Sequence, residues 1–250
     1  MKKYVDLFID FDDTLYDTYG NAVIALAETF DAFRLDRFFE RPQTFYDAYW
    51  EANIDLWRRY AKGEITRDYL IVERFRRPLL ASETIQKGGG EAERMLEPVS
   101  ILQMSDRFLD FCASKSGVIE GAHELMDYLK QKGYRMHMTS NGFHEVQYKK
   151  LDSCGLRAYF DTIILSEDAG ANKPSEAFFD YALKQTGADK ATTLMIGDNL
   201  NTDIYGAVAC GIDALYFNRY PEYPLDEGQR LEVKGHIKEV TSLRDIMKTL

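Results

Sequence analysis

The sequence predicts an α/β protein whose core is a doubly wound parallel sheet, with a helical insertion after the first strand. Two observations predict this class. Short apolar segments that end in polar or turn residues alternate with helix-like segments that end in glycine. From about residue 18 to residue 116, strand-like segments are absent and helical patterns follow one another. Strands alternating with helices favour parallel strands joined by crossover helices.

The predicted strands share a short apolar run that stops at a polar or turn residue, which is typical of strands buried on both faces. They span residues 4–10, 134–140, 161–166, 192–198 and 211–217. The helices between them end in glycine, a common helix stop. Those helices span 122–133, 144–155, 175–187 and 202–211. The pattern of residues 236–250 predicts a short edge strand followed by a closing helix.

The sequence pattern of the insertion predicts that it forms a separate helical domain. Turn-forming segments at 41–43, 62–66 and 87–91 divide it. They separate about four helices, at 19–36, 44–61, 66–80 and 91–114. We therefore expect an α/β core domain of residues 1–17 and 117–250, and a helical domain of residues 18–116.

Composition excludes several classes of function. The 250 residues include 31 basic and 41 acidic side chains, and the formal net charge of −10 disfavours binding to a nucleic-acid polymer. Three irregularly spaced cysteines favour neither a disulfide framework nor a cysteine zinc site. No apolar run approaches the ~18 residues of a membrane span, and the first residues form no signal-peptide core. We expect a cytoplasmic protein that binds no membrane.

Three carboxylates, Asp10, Asp12 and Asp13, directly follow the apolar run VDLFI of the first predicted strand. Alternate strand residues point to one side, so Asp10 and Asp12 can face a site at the sheet edge where α/β folds bind ligands. Neighbouring carboxylates oppose each other's ionisation. A divalent cation would relieve that repulsion for one, and a proton on the other would supply a general acid. Turn or cap aspartates are the alternative interpretation.

Polar residues also follow the second predicted strand. Ser140 ends that strand, and Asn141 and Gly142 open a loop whose amides could bind an oxyanion. A helix-capping serine is the alternative.

Two later strand ends carry charged residues. Lys173 stands before Pro174, at which a helix is predicted to begin, and Asp198 follows the fourth strand with Asp203 five residues later. A solvated loop lysine and a capping Asp203 are the alternatives for these positions. Because polar residues follow four predicted strands in succession, we favour a functional site over these separate structural explanations.

The order and spacing of these residues resemble the four motifs of the haloacid dehalogenase superfamily. The motifs are DFDDT at 10–14, SN at 140–141, KP at 173–174 and GDNLNTD at 197–203. The insertion lies where that family carries its C1 cap. The resemblance covers essentially the whole chain and implies a Rossmann-like α/β core with an all-helical C1 cap domain. SNGFHEVQYKKL and IGDNLNTDIYGA are most similar to the pyrimidine 5'-nucleotidase branch.

The resemblance implies a phosphatase mechanism in two steps. Asp10 would attack phosphorus and form an aspartyl-phosphate, and Asp12 would protonate the leaving alkoxide and later deprotonate the hydrolytic water. Ser140 and Lys173 would hold the phosphoryl oxygens.

The resemblance also implies magnesium as cofactor. Its ligands would be Asp10, the backbone carbonyl of Asp12 and Asp198, an all-oxygen set. Asp203 would orient Lys173 or a metal-bound water. The remaining candidates for binding phosphate or substrate are Asn141, Gly142 and, in the turn between two cap helices, Lys62, Gly63 and Glu64.

The expected substrate is a small phosphorylated metabolite, most specifically a pyrimidine nucleoside 5'-monophosphate, and the expected assembly is a monomer or homodimer. A sugar-phosphate mutase, another phosphatase of the family, and a non-catalytic phosphate or metal sensor are the alternatives. True haloacid dehalogenases typically lack an aspartate two residues after the nucleophile and use no metal. Asp12 therefore argues against that activity.

Overall fold

The computed structural model describes residues 3–220 and 237–250. The chain divides into two compact units. The core unit comprises Met1–Thr18 and Ser116–Leu250, and the helical unit comprises Tyr19–Lys115. Within the described ranges, no helix is both long and apolar enough to cross a membrane.

The helical unit is built on helices that pack around an aromatic core. They are α1 (Thr18–Ala32), α2 (Pro42–Ala61), α3 (Arg67–Leu79), α4 (Glu83–Gln86), α5 (Glu91–Met95) and α6 (Pro98–Ala113). Phe45, Tyr49, Phe75 and Phe108 are buried in this core. Most aromatic side chains of the insertion therefore have a packing role.

The predicted helix 91–114 is wrong, because α5 and α6 are separate helices. Pro98 begins α6, and Glu97 before it has φ −63° and ψ 138°. Proline disfavours the helical conformation in the residue that precedes it, so Glu97 is extended and interrupts the pattern. The predicted helix 19–36 likewise ends at Ala32, and a 3-10 turn, Leu35–Arg37, follows it.

The core unit contains a six-stranded parallel sheet, which confirms the predicted fold class. The strands are β1 (Asp6–Asp10), β2 (Arg135–Ser140), β3 (Thr162–Leu165), β4 (Thr193–Gly197), β5 (Asp213–Phe217) and β6 (Ile237–Val240). Their order is β3-β2-β1-β4-β5-β6, with β6 at an edge as expected. The winding direction reverses between β1 and β4, and such a switch point is where open α/β sheets bind ligands.

Helices cover both faces of the sheet. They are α7 (Ala122–Gln131), α8 (His144–Ser153), α9 (Ser166–Ala169), α10 (Glu176–Thr186), α11 (Tyr205–Ala209) and α12 (Leu243–Thr249). Leu7 and Ile9 pack in one apolar cluster, whereas Phe8 packs in another with Phe178 and Phe179. Because alternate residues of β1 are buried on opposite faces, the three residues between Asp6 and Asp10 are all apolar.

Two helix starts in the core unit differ from the prediction. Pro174 does not begin α10; Ser175 caps it, its hydroxyl accepting a hydrogen bond from the Phe178 amide at 3.4 Å. The predicted helix 202–211 begins as a π-helical turn, Leu200–Ile204, before α11. The side chain of Asn199 caps that turn by accepting from two backbone amides.

The chain leaves and re-enters the core unit at adjacent points. Tyr16 forms an antiparallel bridge with Val118. The Ile119 amide donates to the Leu15 carbonyl at 2.8 Å, and the Asp17 amide donates to the Gly117 carbonyl at 3.1 Å. Backbone hydrogen bonds of the core unit therefore hold both ends of the insertion.

Candidate active site

The carboxyl ends of three adjacent strands place the predicted residues at one edge of the sheet. Asp10 is the last residue of β1 and pairs in register with Thr139 of β2. Ser140 ends β2, and Asp198 directly follows β4 on the other side of β1. Asp10, Ser140 and Asp198, widely separated in sequence, thus meet at the switch point. The expectation that Lys173 lies at a strand end is wrong, because α9 lies between the end of β3 and Lys173.

Lys173 is buried at the centre of this edge, with 1% of its surface exposed. Its ammonium lies 2.6 Å from Asp10 Oδ1 and 2.7 Å from Asp203 Oδ1. It also donates to the Thr139 carbonyl at 2.9 Å. A buried ammonium requires such partners to offset its lost hydration. The alternative of a solvated loop lysine is therefore wrong.

Burial and the opposite charge of the partner shift the pKa values of Lys173 and Asp10 in opposite directions. Burial lowers the pKa of Lys173, but the charges of Asp10 and Asp203 outweigh it and raise the pKa above the usual lysine range. Burial raises the pKa of Asp10 to about 7, against the opposing effect of Lys173. Burial, together with the charge of Asp203, thus outweighs the effect of Lys173 on the pKa of Asp10.

Three carboxylates, Asp10, Asp198 and Asp203, offer oxygens that all lie within 4.8 Å of one another. Burial, together with the charges of Asp10 and Asp203, raises the pKa of Asp198 well above its ordinary value. With all three carboxylates ionised, as a bound cation would favour, two negative charges remain beside the one ammonium. An oxygen-only donor set with that charge fits a hard divalent cation such as Mg²⁺.

Thr14 links two of these carboxylates, a contact that the sequence reasoning missed. The buried Thr14 hydroxyl lies 3.0 Å from Asp10 Oδ2 and 3.3 Å from Asp198 Oδ1, and it accepts from the Asp198 amide at 3.1 Å. The position of Thr14 within the DFDDT motif is the sequence feature that could have indicated this contact.

The carboxylate of Asp12 is held by a different set of groups. Lys150 Nζ and Thr18 Oγ1 each lie 2.6 Å from Asp12 Oδ1, and Gln147 Nε2 donates to Asp12 Oδ2. Burial raises the pKa of Asp12, but the Lys150 charge and these hydrogen bonds lower it by a larger amount. The net shift of the pKa is therefore downward. Lys150 and these hydrogen bonds thus favour the ionised form of Asp12 in the site without substrate.

The loop after β2 binds both Ser140 and the Lys173 backbone. Ser140 Oγ accepts from the Gly142 amide at 3.0 Å and from Gln147 Nε2 at 2.6 Å. The Asn141 side chain donates to the Lys173 carbonyl at 3.0 Å and accepts from the Lys173 amide at 2.8 Å. The Gly142 amide, predicted to bind an oxyanion, is thus engaged by Ser140.

Asp203 lies on the π-helical turn, and its carboxylate packs over Gly197. A methyl group at Gly197 would overlap that carboxylate, so the close approach requires glycine at the end of β4. Asp203 Oδ2 accepts from the Asn199 amide at 3.2 Å. Because Asn199 caps the turn, the alternative of Asp203 as its cap is wrong.

The three candidates from the insertion lie in the turn between α2 and α3 of the helical unit. Gly63 has a φ of 70°, and the Glu64 carboxylate lies 3.6 Å from Arg59. A role for Lys62, Gly63 and Glu64 in substrate choice stays a prediction.

Comparisons with known proteins agree with the motif pattern. A family model for haloacid dehalogenase-like hydrolases matches residues 7–211. YfnB of Bacillus subtilis (strain 168) is 30% identical over 247 residues, which cover 96% of this chain and 97% of YfnB. A crystal structure of YfnB bound to magnesium has a TM-score of 0.79 and 26% identity, and covers 100% of this chain and 99% of that chain.

Two further relatives have named activities. Pyrimidine 5'-nucleotidase YjjG of Escherichia coli (strain K12) is 31% identical over 228 residues, covering 87% of this chain and 88% of YjjG. Pyrimidine 5'-nucleotidase PynA of Streptococcus pneumoniae (strain ATCC BAA-255 / R6) is 29% identical over 216 residues, covering 86% and 84%.

Proposed function

Since the chain belongs to the haloacid dehalogenase-like hydrolase family, we propose that it is a magnesium-dependent phosphomonoesterase that acts on pyrimidine nucleoside 5'-monophosphates. The observation that carries this proposal is the buried ammonium of Lys173 between Asp10 and Asp203, beside Asp198. The names of YjjG and PynA support the substrate class. The helical unit corresponds to the C1 cap of the family.

In the first step, an Asp10 carboxylate oxygen attacks phosphorus as the bond between phosphorus and the ester oxygen breaks. Asp12 must be protonated for this step, against the effect of Lys150 on its pKa in the site without substrate, and it gives that proton to the departing alkoxide. In the second step, Asp12 takes a proton from water as that water attacks phosphorus. The bond between Asp10 and phosphorus then breaks, which releases phosphate and restores the Asp10 carboxylate.

Lys173 and Ser140 hold the phosphoryl group during both steps. The Lys173 ammonium offsets the negative charge that gathers on the phosphoryl oxygens. Ser140 Oγ already accepts two hydrogen bonds. No oxygen in the described ranges is bonded to its hydroxyl proton, so that proton suits a phosphoryl oxygen.

Magnesium would be held by Asp10, the backbone carbonyl of Asp12 and Asp198, and Asp203 would orient Lys173. When bound, the cation supplies positive charge that stabilises the phosphoryl oxygens.

The proposal is tested by measuring phosphate release from a panel of phosphate esters with magnesium and after chelation with EDTA. We expect pyrimidine nucleoside monophosphates to give the highest kcat/KM among the panel, and EDTA to abolish release. Exchange of phosphate between sugar positions without release would favour a mutase. Metal binding without release or exchange would favour a sensor, and release of halide from a haloacid would favour a dehalogenase.

Metal affinity should depend on Asp198 more than on the Asp12 side chain. We expect Asp198→Asn to weaken Mg²⁺ binding by about tenfold or more, since one anionic ligand is lost. Asp12→Asn should weaken it by less than about threefold, because its carboxylate is occupied by Lys150 and Gln147. Titration calorimetry measures both. Equal losses would contradict the backbone role of Asp12.

A further inference from the structure

Helix α8 directs two buried polar side chains at Asp12. Gln147 and Lys150 are three residues apart, a spacing that places both on one face of the helix. Gln147 has no exposed surface, and Lys150 is 7% exposed. They lie more than 130 residues from Asp12 in sequence, so this contact depends on the fold.

These side chains determine the orientation of the Asp12 carboxylate. Lys150 and Thr18 donate to one carboxylate oxygen, and Gln147 donates to the other. A carboxylate only accepts hydrogen bonds and an ammonium only donates them. The Gln147 side chain must therefore turn its amide nitrogen, and not its oxygen, toward Asp12. Rotation of the Asp12 carboxylate would break hydrogen bonds at both of its oxygens.

Gln147 also connects Asp12 to Ser140. Its side-chain nitrogen lies 2.6 Å from Ser140 Oγ as well as donating to Asp12. A methyl group at Gly142 would overlap the Gln147 side chain, so the loop leaves that space for the amide. One side chain thus fixes the distance between the acid–base carboxyl and the hydroxyl that would hold phosphate.

The burial of Lys150 is difficult to explain by stability. Its ammonium pairs with Asp12 and lies 5.1 Å from the centre of the Tyr16 ring. Removing an ammonium from water costs several kcal/mol, and apolar residues of similar volume often serve packing as well or better. A functional contact with Asp12 accounts for a charged residue at this position.

We propose that Lys150 and Gln147 are positioning residues that fix the Asp12 carboxyl for proton transfer. This inference rests on the proposed function. In that reaction the Asp12 proton moves to the ester oxygen as its bond to phosphorus breaks, and Asp12 regains a proton from water in the second step. Lys150 and Gln147 act on the reaction through their hydrogen bonds to Asp12.

The test compares kcat/KM for two esters that differ in their need for an acid. An alkyl ester, uridine 5'-monophosphate, has a poor leaving group, whereas p-nitrophenyl phosphate has a good one. The variants are Lys150→Met, Lys150→Arg and Gln147→Leu, with the adjacent exposed Lys149→Met as the matched control. Thermal unfolding shows whether each variant is folded.

We expect Lys150→Met and Gln147→Leu to lower kcat/KM for the alkyl ester by about 10²-fold, at the lower end of general acid catalysis, and by less than about tenfold for the aryl ester. Lys150→Arg should restore most of the alkyl activity, and Lys149→Met should change neither ester. In an Asp12→Asn background, Lys150→Met should no longer change the ratio of the two esters.

Equal losses for both esters in folded variants would overturn this proposal and leave Lys150 and Gln147 with a structural role. Unchanged or increased alkyl activity in both variants would also overturn it. If Lys150→Met does not fold, Gln147→Leu decides the question. A wild-type protein inactive on every ester would overturn the proposed function as well, which separates that failure from the failure of the positioning role.

Discussion

Asp10→Asn is expected to abolish phosphate release while leaving the core unit folded. The amide has nearly the shape of the carboxylate but lacks the anionic oxygen that would attack phosphorus in the proposed mechanism. Lys173 keeps its contacts with Asp203 and the Thr139 carbonyl, so its charge stays partnered. We expect kcat to fall by about 10⁴-fold or more, as for other nucleophiles removed from hydrolases.

The matched control is Asp13→Asn, which changes the neighbouring acid in the same motif. The Asp13 carboxylate lies 3.5 Å from Arg219, and we assign it no part in the chemistry. Steady-state kinetics should show most of the activity retained in Asp13→Asn, and circular dichroism should show both variants folded. Turnover in Asp10→Asn within tenfold of wild type would refute the nucleophile assignment.

Lys173→Met is expected to reduce both stability and activity. The substitution leaves the carboxylates of Asp10 and Asp203 buried together without the ammonium that lies 2.6 and 2.7 Å from them. Removing one partner of a buried ion pair typically costs about 3–5 kcal/mol. Denaturant unfolding should show a loss of that size in the free energy of unfolding.

A second substitution separates the two effects. Lys173→Met with Asp203→Asn removes one of the uncompensated charges, so much of the lost stability should return. Activity should remain low, because the double variant still lacks the ammonium that holds the phosphoryl group. Full recovery of activity would contradict the role of Lys173, and unchanged instability would contradict the charge explanation.

The doubly wound sheet was predictable because its signals are local. Each strand is a short apolar run that ends in a turn residue, and polar residues at the ends of parallel strands converge. The family prediction, made on those residues, is confirmed by the match over residues 7–211. The sequence alone therefore sufficed to bring together Asp10, Ser140, Lys173 and Asp198.

The supporting contacts were not predictable from local patterns. Gln147 and Lys150 lie on a helix of ordinary composition, and only the packing of α8 shows that they face Asp12. Thr14 contacts Asp10 on β1 and Asp198 after β4, and a contact between two strands leaves no local pattern in the sequence. The π-helical turn that carries Asp203 and the close approach of Asp203 to Gly197 correspond to no periodicity in the sequence.

The pairing of Leu15–Asp17 with Gly117–Ile119 has a consequence for how such proteins diversify. Because backbone bonds of the core unit fix both junctions, the segment between them closes a loop whose ends are already adjacent. Lengthening such a loop costs little, since closure entropy grows only with the logarithm of its length. The inserted segment can thus change in length at little cost in free energy while the junctions stay intact.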